Sequence, residues 1–141
     1  MGFRLKVEGA DTIELGIENI LDVKFKTDTP DDSDARSTDL GVTAVVEGKI
    51  LTAVDGEAAD QTIKLAKWSY VPAEDADCYR KVTIDVVSAS QIVRQITFPN
   101  AFVIDYQEQF GDEFGVGTFR LVIKQKKDKT ANLKFEGGFG E

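Results

Sequence analysis

Acidic side chains that could bind a cation are concentrated in one stretch of the chain, residues 27–40 (TDTPDDSDARSTDL). Carboxylate oxygens are preferred ligands of Ca²⁺, and a calcium loop of the EF-hand type requires glycine at its sixth position. Counting from Asp32 places Arg36 fifth and Ser37 sixth, so the stretch does not match that loop. It shows no helix or strand period, which predicts a long exposed loop.

Three roles stay open for this loop. It is a solvated loop, a binding site for a metal or protein ligand, or a segment that becomes ordered against a neighbouring subunit. The charged residues that make it a candidate site are Asp28, Asp31, Asp32, Asp34, Arg36 and Asp39.

Residues suited to catalysis are otherwise scarce. The chain has no histidine, which excludes Ser-His-Asp and Cys-His nucleophile activation and histidine metal sites. The single cysteine, Cys78, follows acidic residues, which disfavour a reactive thiolate. The glycine-rich stretch 111–117 (GDEFGVG) lacks the lysine of a phosphate-binding loop and precedes a strand pattern. We therefore predict a hairpin there, no catalytic residue, no cofactor, no metal ligand set, and a chain that is not an enzyme.

The chain is acidic, with a net charge of −8 from 25 acidic and 17 basic residues. Nucleic-acid-binding proteins usually carry a basic stripe, whereas the one basic cluster here, residues 124–129 (KQKKDK), reads as a solvated tail. No nucleic-acid binding is therefore predicted. No stretch approaches the ~20 apolar residues of a membrane span, and the N-terminal residues lack the apolar region of a secretory signal. We therefore expect that the chain does not insert into a membrane.

The elements that would position any site are mostly strands. Apolar and polar residues alternate with a period of two in at least six stretches, which is typical of half-buried strands. The clearest are residues 3–9, 19–26, 41–53, 79–87, 96–110 and 118–124. Pro99 and Asn100 interrupt one of them, which predicts an edge, a bend or a turn.

One helix is predicted, at residues 60–70 (DQTIKLAKWSY), with Asp60 as its N-cap and Pro72 beyond its end. Ile63, Ala66 and Tyr70 fall on one face, which Leu65 and Trp68 widen. These elements predict a mainly β fold with one short α-helix, an antiparallel β-barrel or sandwich. We expect a single domain at residues 1–136 and a flexible glycine-rich tail at 137–141.

The order of the later elements carries a resemblance. These elements are the helix at 60–70, the Lys-Val-Thr-Ile strand at 81–84, the long strand through FPNAFVIDY (98–106), the glycine-rich turn and the FRLVIK strand (119–124). Their order resembles that of the tube proteins of contractile injection machines. These include the haemolysin-coregulated protein of type VI secretion and the phage tail-tube proteins. The N-terminal strand FRLKVEG (3–9) and the long loop at 27–40 are similar to the same plan.

The resemblance implies a small β-barrel that self-assembles into six-membered rings, and rings that stack into a tube. It implies that the strands around 96–106 and 118–124 contribute to the ring and that residues 27–40 form the stacking loop. Sheath and spike proteins are the further partners it implies. It also implies assembly in the cytoplasm, with a virion, a tail particle or a secreted injection machine as further destinations. The alternative is a monomeric β-barrel binding module that uses residues 27–40 for a metal or protein ligand.

Overall fold

The computed structural model describes residues 1–28, 41–50, 61–112, 117–126 and 133–137. Within these residues the alternating sequence patterns form eight strands, and one α-helix lies between the fourth and the fifth strand. The elements are β1 (Gly2–Glu8), β2 (Ile13–Leu15), β3 (Ile20–Asp28), β4 (Gly41–Ile50), α1 (Thr62–Ser69), a 3₁₀ turn (Ala76–Cys78), β5 (Arg80–Ser88), β6 (Gln91–Gln109), β7 (Gly117–Gln125) and β8 (Lys134–Gly137). Residues 138–141 of the predicted tail lie outside the described residues, and its first residue, Gly137, ends β8.

All strands pair in antiparallel fashion, in the order β2-β1-β5-β6-β7-β4-β3, with β8 added to β6. The predicted mainly β, antiparallel fold with one short helix is confirmed. The sheet is not closed into a barrel, because no pairing joins β2 to β3 within the described part of the chain. Instead β1 packs against β3, so the sheet folds over onto itself.

Strand β6 makes this folding possible because it belongs to two layers. Its first half, residues 91–101, pairs with β5, and its second half, residues 101–109, pairs with β7. The register shifts between the pairs Val82–Phe98 and Arg80–Ala101, so Pro99 and Asn100 fall in the irregular stretch, as the sequence predicts for a bend. We call the layer of β3, β4, β7 and residues 102–109 the wall, and the layer of β1, β2, β5, β8 and residues 91–101 the back sheet.

The core lies between the wall and the back sheet. A single cluster of buried apolar side chains contains Leu5 and Val82 from the back sheet and Val46 and Leu121 from the wall. Burying each such side chain contributes about 1.5–3 kcal/mol. The alternate residues of the wall strands face away from this core, as the period of two requires.

The helix covers one end of the core, with a different face from the predicted one. Leu65 and Trp68 are buried as expected, together with Thr62, whereas Ile63 and Tyr70 are 53% and 72% exposed. The prediction of a buried Ile63–Tyr70 face is therefore wrong. The helix begins after Gln61 without a side-chain cap, and the predicted cap Asp60 lies outside the described residues.

Near the helix, Arg80 and Asp77 form an ion pair in which the Arg80 side chain is buried and the Asp77 side chain is 25% exposed. Arg80 is 6% exposed, its guanidinium lies 5.5 Å from the Trp68 ring centroid, and it reaches Asp77 Oδ2 at 2.5 Å. The backbone N–H of Ala10 also donates to Asp77 Oδ1 at 2.9 Å. These contacts tie the β1–β2 turn to the segment that enters β5.

We expect the Asp77 carboxylate to stabilise the fold at neutral pH and to lose this effect in acid. The hydrogen bond from Arg80, and then that from Ala10, lower the pKa of Asp77 below its ordinary value of 3.8. A lowered folded-state pKa means that this stabilisation is complete above the ordinary value and is lost as pH falls through the folded-state value. Between pH 7 and pH 3, the urea midpoint of the wild type should therefore fall further than that of Asp77→Asn. Equal falls in both proteins would contradict this assignment.

Candidate assembly surface

The wall is a four-stranded sheet whose two faces differ. Cross-strand partners share a face, and three rows of partners point away from the core: Asp22–Glu47–Arg120–Gln107, Lys24–Val45–Val122–Asp105 and Lys26–Thr43–Lys124–Phe102. We call this the outward face. The intervening residues, such as Val46 and Leu121, are buried.

Arg120 forms ion pairs across the strands of the outward face, near one end of the wall. Its Nε lies 3.3 Å from Glu47 Oε1, and its NH1 group lies 3.7 Å from Asp105 Oδ2. The guanidinium therefore links β4, β7 and β6 across the sheet. All three side chains are 43–47% exposed, so the pairs add only about 0–1 kcal/mol each to stability.

Both lateral edges of the wall are free within the described residues. Strand β3 pairs only with β4. On the other side, Ala101 pairs with Arg80 of β5 and with Gln125 of β7, so β5 and β7 lie on opposite edges of β6. Since β5 begins at Arg80, residues 102–109 of β6 have no partner on the β5 side. Free edges of this kind present unpaired backbone N–H and C=O groups to another chain.

Each free edge also carries an exposed apolar side chain at a β-bulge. The register of β3 shifts between Ile20 and Asp22, and that of β6 shifts between Val103 and Asp105. The extra residues are Leu21, which is 55% exposed, and Ile104, which is 51% exposed. Edges that avoid association usually carry charges at such positions, and these two carry aliphatic side chains instead.

The bulge in β3 lies opposite Gly48 of β4. A Cβ at Gly48 would collide with the Asn19 carbonyl oxygen and approach the Phe119 ring to 2.7 Å. The Asn19 carbonyl accepts a hydrogen bond from the Lys49 backbone N–H at 2.6 Å. The absence of a side chain at Gly48 thus leaves room for the backbone of β3 at the bulge that exposes Leu21. The sequence alone indicates Gly48 only as a bulge or turn within a strand.

Of the predicted site residues, only Asp28 falls within the described backbone. It is the last residue of β3, paired with Gly41 at the start of β4. Asp31, Asp32, Asp34, Arg36 and Asp39 lie outside the described residues. Strand β3 ends and strand β4 begins at the pair Asp28–Gly41, at one end of the wall.

The predicted ring strands, 96–106 and 118–124, correspond to parts of β6 and β7, which do lie side by side in the wall. The sequence reading did not identify β3 and β4 as the rest of this layer. Their alternation marks them as strands, but it carries no information on which neighbours they choose.

Two other kinds of site are not seen in the part of the chain that the structure describes. No three or more His, Cys, Asp or Glu side chains come together there in a way that could hold a metal ion. None of the helices described is long and apolar enough to cross a membrane.

Comparison with solved structures relates this architecture to known assemblies. Hcp1 from Flavobacterium johnsoniae matches with a TM-score of 0.58 over 98% of this chain and 97% of its own, at 16% identity. A chain of the six-fold symmetrised baseplate of the anti-feeding prophage matches with a TM-score of 0.55, at 12% identity, over 96% of this chain and 93% of its own. No protein-family model and no curated protein sequence matches the chain.

The chain has an Hcp-like fold. A chain of the sheath–tube complex of the extracellular contractile injection system PVC also matches, with a TM-score of 0.51 and 11% identity over 97% of this chain and 89% of its own. The resemblance to injection-machine tube proteins is thereby confirmed at the level of the fold. Two of the three matches are thus chains of a baseplate and of a sheath–tube complex.

Proposed function

We propose that this Hcp-like chain is a structural subunit whose walls join edge to edge into rings, and that the rings stack into the inner tube of an injection apparatus. One observation carries the proposal: the wall ends in two free edges, each with an exposed aliphatic residue at a bulge. One of the matching chains belongs to a baseplate structure that is six-fold symmetrised, and this symmetry supports a hexamer. In this proposal residues 1–136 form one domain.

Strand direction permits such a joint. The wall has four strands and neighbouring strands run antiparallel, so β3 and β6 run in opposite directions. The β3 edge of one copy placed beside residues 102–109 of the next therefore continues the antiparallel order. Because the two edges differ, the contact is heterologous and closes into a ring when the rotation per copy permits.

Strand spacing sets the size of the ring. Four strands at about 4.8 Å span roughly 19 Å, so six copies give a barrel about 115 Å around and about 37 Å across. A barrel of 24 strands is larger than the porins that already enclose water-filled channels. In such a ring the outward face of the wall, which points away from the core of its own subunit, lines the channel. The back sheet and α1 lie on the outside of the ring, because they are too bulky for the smaller inner circumference.

The exposed side of the ring is then the back sheet and α1, where a sheath protein would contact the tube. A spike protein would contact the terminal ring. Residues 27–40, with their five aspartates, would make the contact between rings, since the strands that flank them in the sequence meet at one end of the wall, where Asp28 pairs with Gly41. Assembly would take place in the cytoplasm before the tube enters a particle or is secreted.

Electron microscopy of negatively stained protein tests both levels of assembly. Wild-type protein should give rings with a central hole, and stacks of rings at higher concentration. The variant Asp31→Asn/Asp32→Asn/Asp34→Asn should still give rings but shorter stacks, because only the contact between rings is changed. Monomers at every concentration would overturn the ring proposal and favour the binding module, and unaltered stacks in the variant would remove residues 27–40 from the contact.

A further inference from the structure

The two free edges of the wall carry charges of opposite sign on the outward face. On the β3 edge, Lys24 and Lys26 are exposed, and neither makes an ion pair or hydrogen bond with another described side chain. On the β6 edge, Asp105 is the one charged residue of residues 102–109 that lies on this face, and its side chain is 46% exposed. Each edge therefore offers a charge that the other edge can complement.

The Asp105 carboxylate is held by its own subunit through one oxygen. Gln107 Nε2 donates to Asp105 Oδ2 at 2.9 Å, and the NH1 group of Arg120 lies 3.7 Å from the same oxygen. Oδ1 has no hydrogen-bond or ion-pair partner among the described residues. A carboxylate accepts hydrogen bonds at both oxygens, so the Asp105 side chain is oriented at the edge and keeps one oxygen for a donor from another chain.

These charges cannot meet within one copy. Lys24 and Asp105 belong to the same row of cross-strand partners, with Val45 and Val122 between them. Three strand spacings separate their Cα atoms, a distance of about 14 Å. The complementary charges therefore make no contact with each other inside the subunit.

The pleat limits how the edges of two copies can align. A displacement by one residue would turn the outward face of one edge toward the core, so the outward rows are either level or displaced by an even number of residues. Level rows place Lys24 opposite Asp105. A displacement by two residues places Lys26 opposite Asp105 in one direction and Asp22 opposite Asp105 in the other. The last alignment brings two carboxylates together, which destabilises a strand pair.

Resting on the ring of the proposed function, we infer that Asp105 of one copy pairs with Lys24 and Lys26 of a second copy, and that this pairing sets the register of the joint. Opposite residues on antiparallel strands have Cβ atoms about 4.5–5.5 Å apart, and diagonal neighbours lie roughly 7–8 Å apart. A lysine side chain spans either distance, so both lysines reach the same carboxylate. Complementary charges fix register and disfavour wrong alignments, which unpaired backbone edges alone do not.

Asp105→Lys tests the β6 side of the pair, with Glu47→Lys as its matched control. Glu47 contacts the same Arg120 at 3.3 Å and is 47% exposed, but it lies on β4, inside the wall rather than at an edge. The two substitutions change the charge equally. Sedimentation velocity should show ring formation at least about tenfold weaker in Asp105→Lys than in Glu47→Lys, equivalent to ~1.4 kcal/mol. Equal assembly of the two variants would overturn the pair.

Lys24→Glu/Lys26→Glu tests the β3 side. Its control is Lys67→Glu/Lys134→Glu, which makes the same change of charge at exposed positions on α1 and β8. The β3 variant should again form rings at least about tenfold more weakly, and the control should assemble like the wild type. Equal assembly of these two proteins would also overturn the pair, and this comparison decides by itself if Asp105→Lys fails to fold, which urea unfolding detects.

A mixture of the two edge variants gives the sharpest result. Asp105→Lys protein keeps its β3 lysines, and Lys24→Glu/Lys26→Glu protein keeps Asp105, so every joint between unlike copies brings opposite charges together. Equal amounts should therefore restore rings of alternating copies, since a six-membered ring has an even number of positions. A mixture that stays unassembled would overturn the pair.

Electron microscopy of the wild type separates this inference from the proposed function. Absence of wild-type rings overturns the proposed function and the pair with it. Wild-type rings, together with edge variants that assemble like their controls or a mixture that does not recover, overturn the pair alone.

Discussion

Ile104→Lys is expected to weaken ring formation by at least about tenfold, since a tenfold change requires only ~1.4 kcal/mol and burying an unpaired charge costs more than that. Ile104 is 51% exposed at the bulge in the free edge of β6, where a joined subunit would cover it. The free energy of unfolding should change little, because the side chain already contacts solvent in the monomer. Sedimentation velocity over a range of protein concentrations measures the shift toward monomer.

Ile63→Lys is the matched control for this change. Ile63 is 53% exposed on α1, which is not one of the wall strands, so the same substitution at nearly the same exposure should leave ring formation unaltered. If Ile104→Lys and Ile63→Lys assemble equally well, the β6 edge is not part of the joint.

Leu21→Lys on the opposite edge allows a complementation test. Each variant alone keeps one intact edge, so a mixture of Ile104→Lys and Leu21→Lys proteins can form one intact joint between the β3 edge of the first and the β6 edge of the second. The expected product is a mixed dimer that does not grow into a ring, because a head-to-tail contact uses two different edges. Failure to form the mixed dimer would contradict the pairing of β3 with β6.

Trp68→Ala is expected to reduce the free energy of unfolding by about 3–5 kcal/mol, out of the 5–15 kcal/mol that is typical of folded domains. Trp68 is 2% exposed, its indole N–H donates to the Cys78 carbonyl oxygen at 3.0 Å, and its ring packs against Arg80. Removal leaves a large cavity between α1 and the core and leaves the carbonyl without its donor. Urea unfolding followed by circular dichroism measures the loss.

Two variants separate the contributions of Trp68. Trp68→Phe keeps most of the packing and removes the hydrogen bond, so its loss should be about 1–3 kcal/mol, the cost of an unsatisfied buried acceptor. Tyr70→Ala, at an exposed position just beyond the same helix, should change stability by no more than about 0.5 kcal/mol. A Trp68→Ala loss as small as that of Tyr70→Ala would show that α1 is not an integral cover of the core.

The strands were predictable because alternation is a local property. A strand with one buried face repeats every two residues, and β7 follows that rule along its whole length. Strand β5 follows it as far as Ile84, and the alternation then shifts by one residue at the irregularity between Val86 and Val87. The bend at Pro99 was predictable for a similar reason, since a residue without an N–H interrupts a ladder wherever it stands. The composition, with no histidine, likewise favours a structural role before any fold is known.

The buried face of α1 was not predictable in the same way. The helix has eight residues, about two turns, and apolar side chains occur on both of its sides. Ile63 and Tyr70 form as regular a stripe as Leu65 and Trp68 do. Which side of the helix is buried depends on its contacts with the rest of the fold. Trp68 faces the core because its ring packs against Arg80 and its indole N–H donates to the Cys78 carbonyl oxygen.

The sequence by itself therefore determined the strand chemistry, the single short helix, the absence of histidine chemistry and the order of elements. Only the tertiary structure decided that β6 is shared between two layers, that β3 and β4 complete the wall, and that both wall edges remain free within the described residues. The physical reason is that side-chain alternation records which face of a strand is buried, whereas strand pairing joins residues that are far apart along the chain. The free edges and the exposed bulges both arise from that pairing.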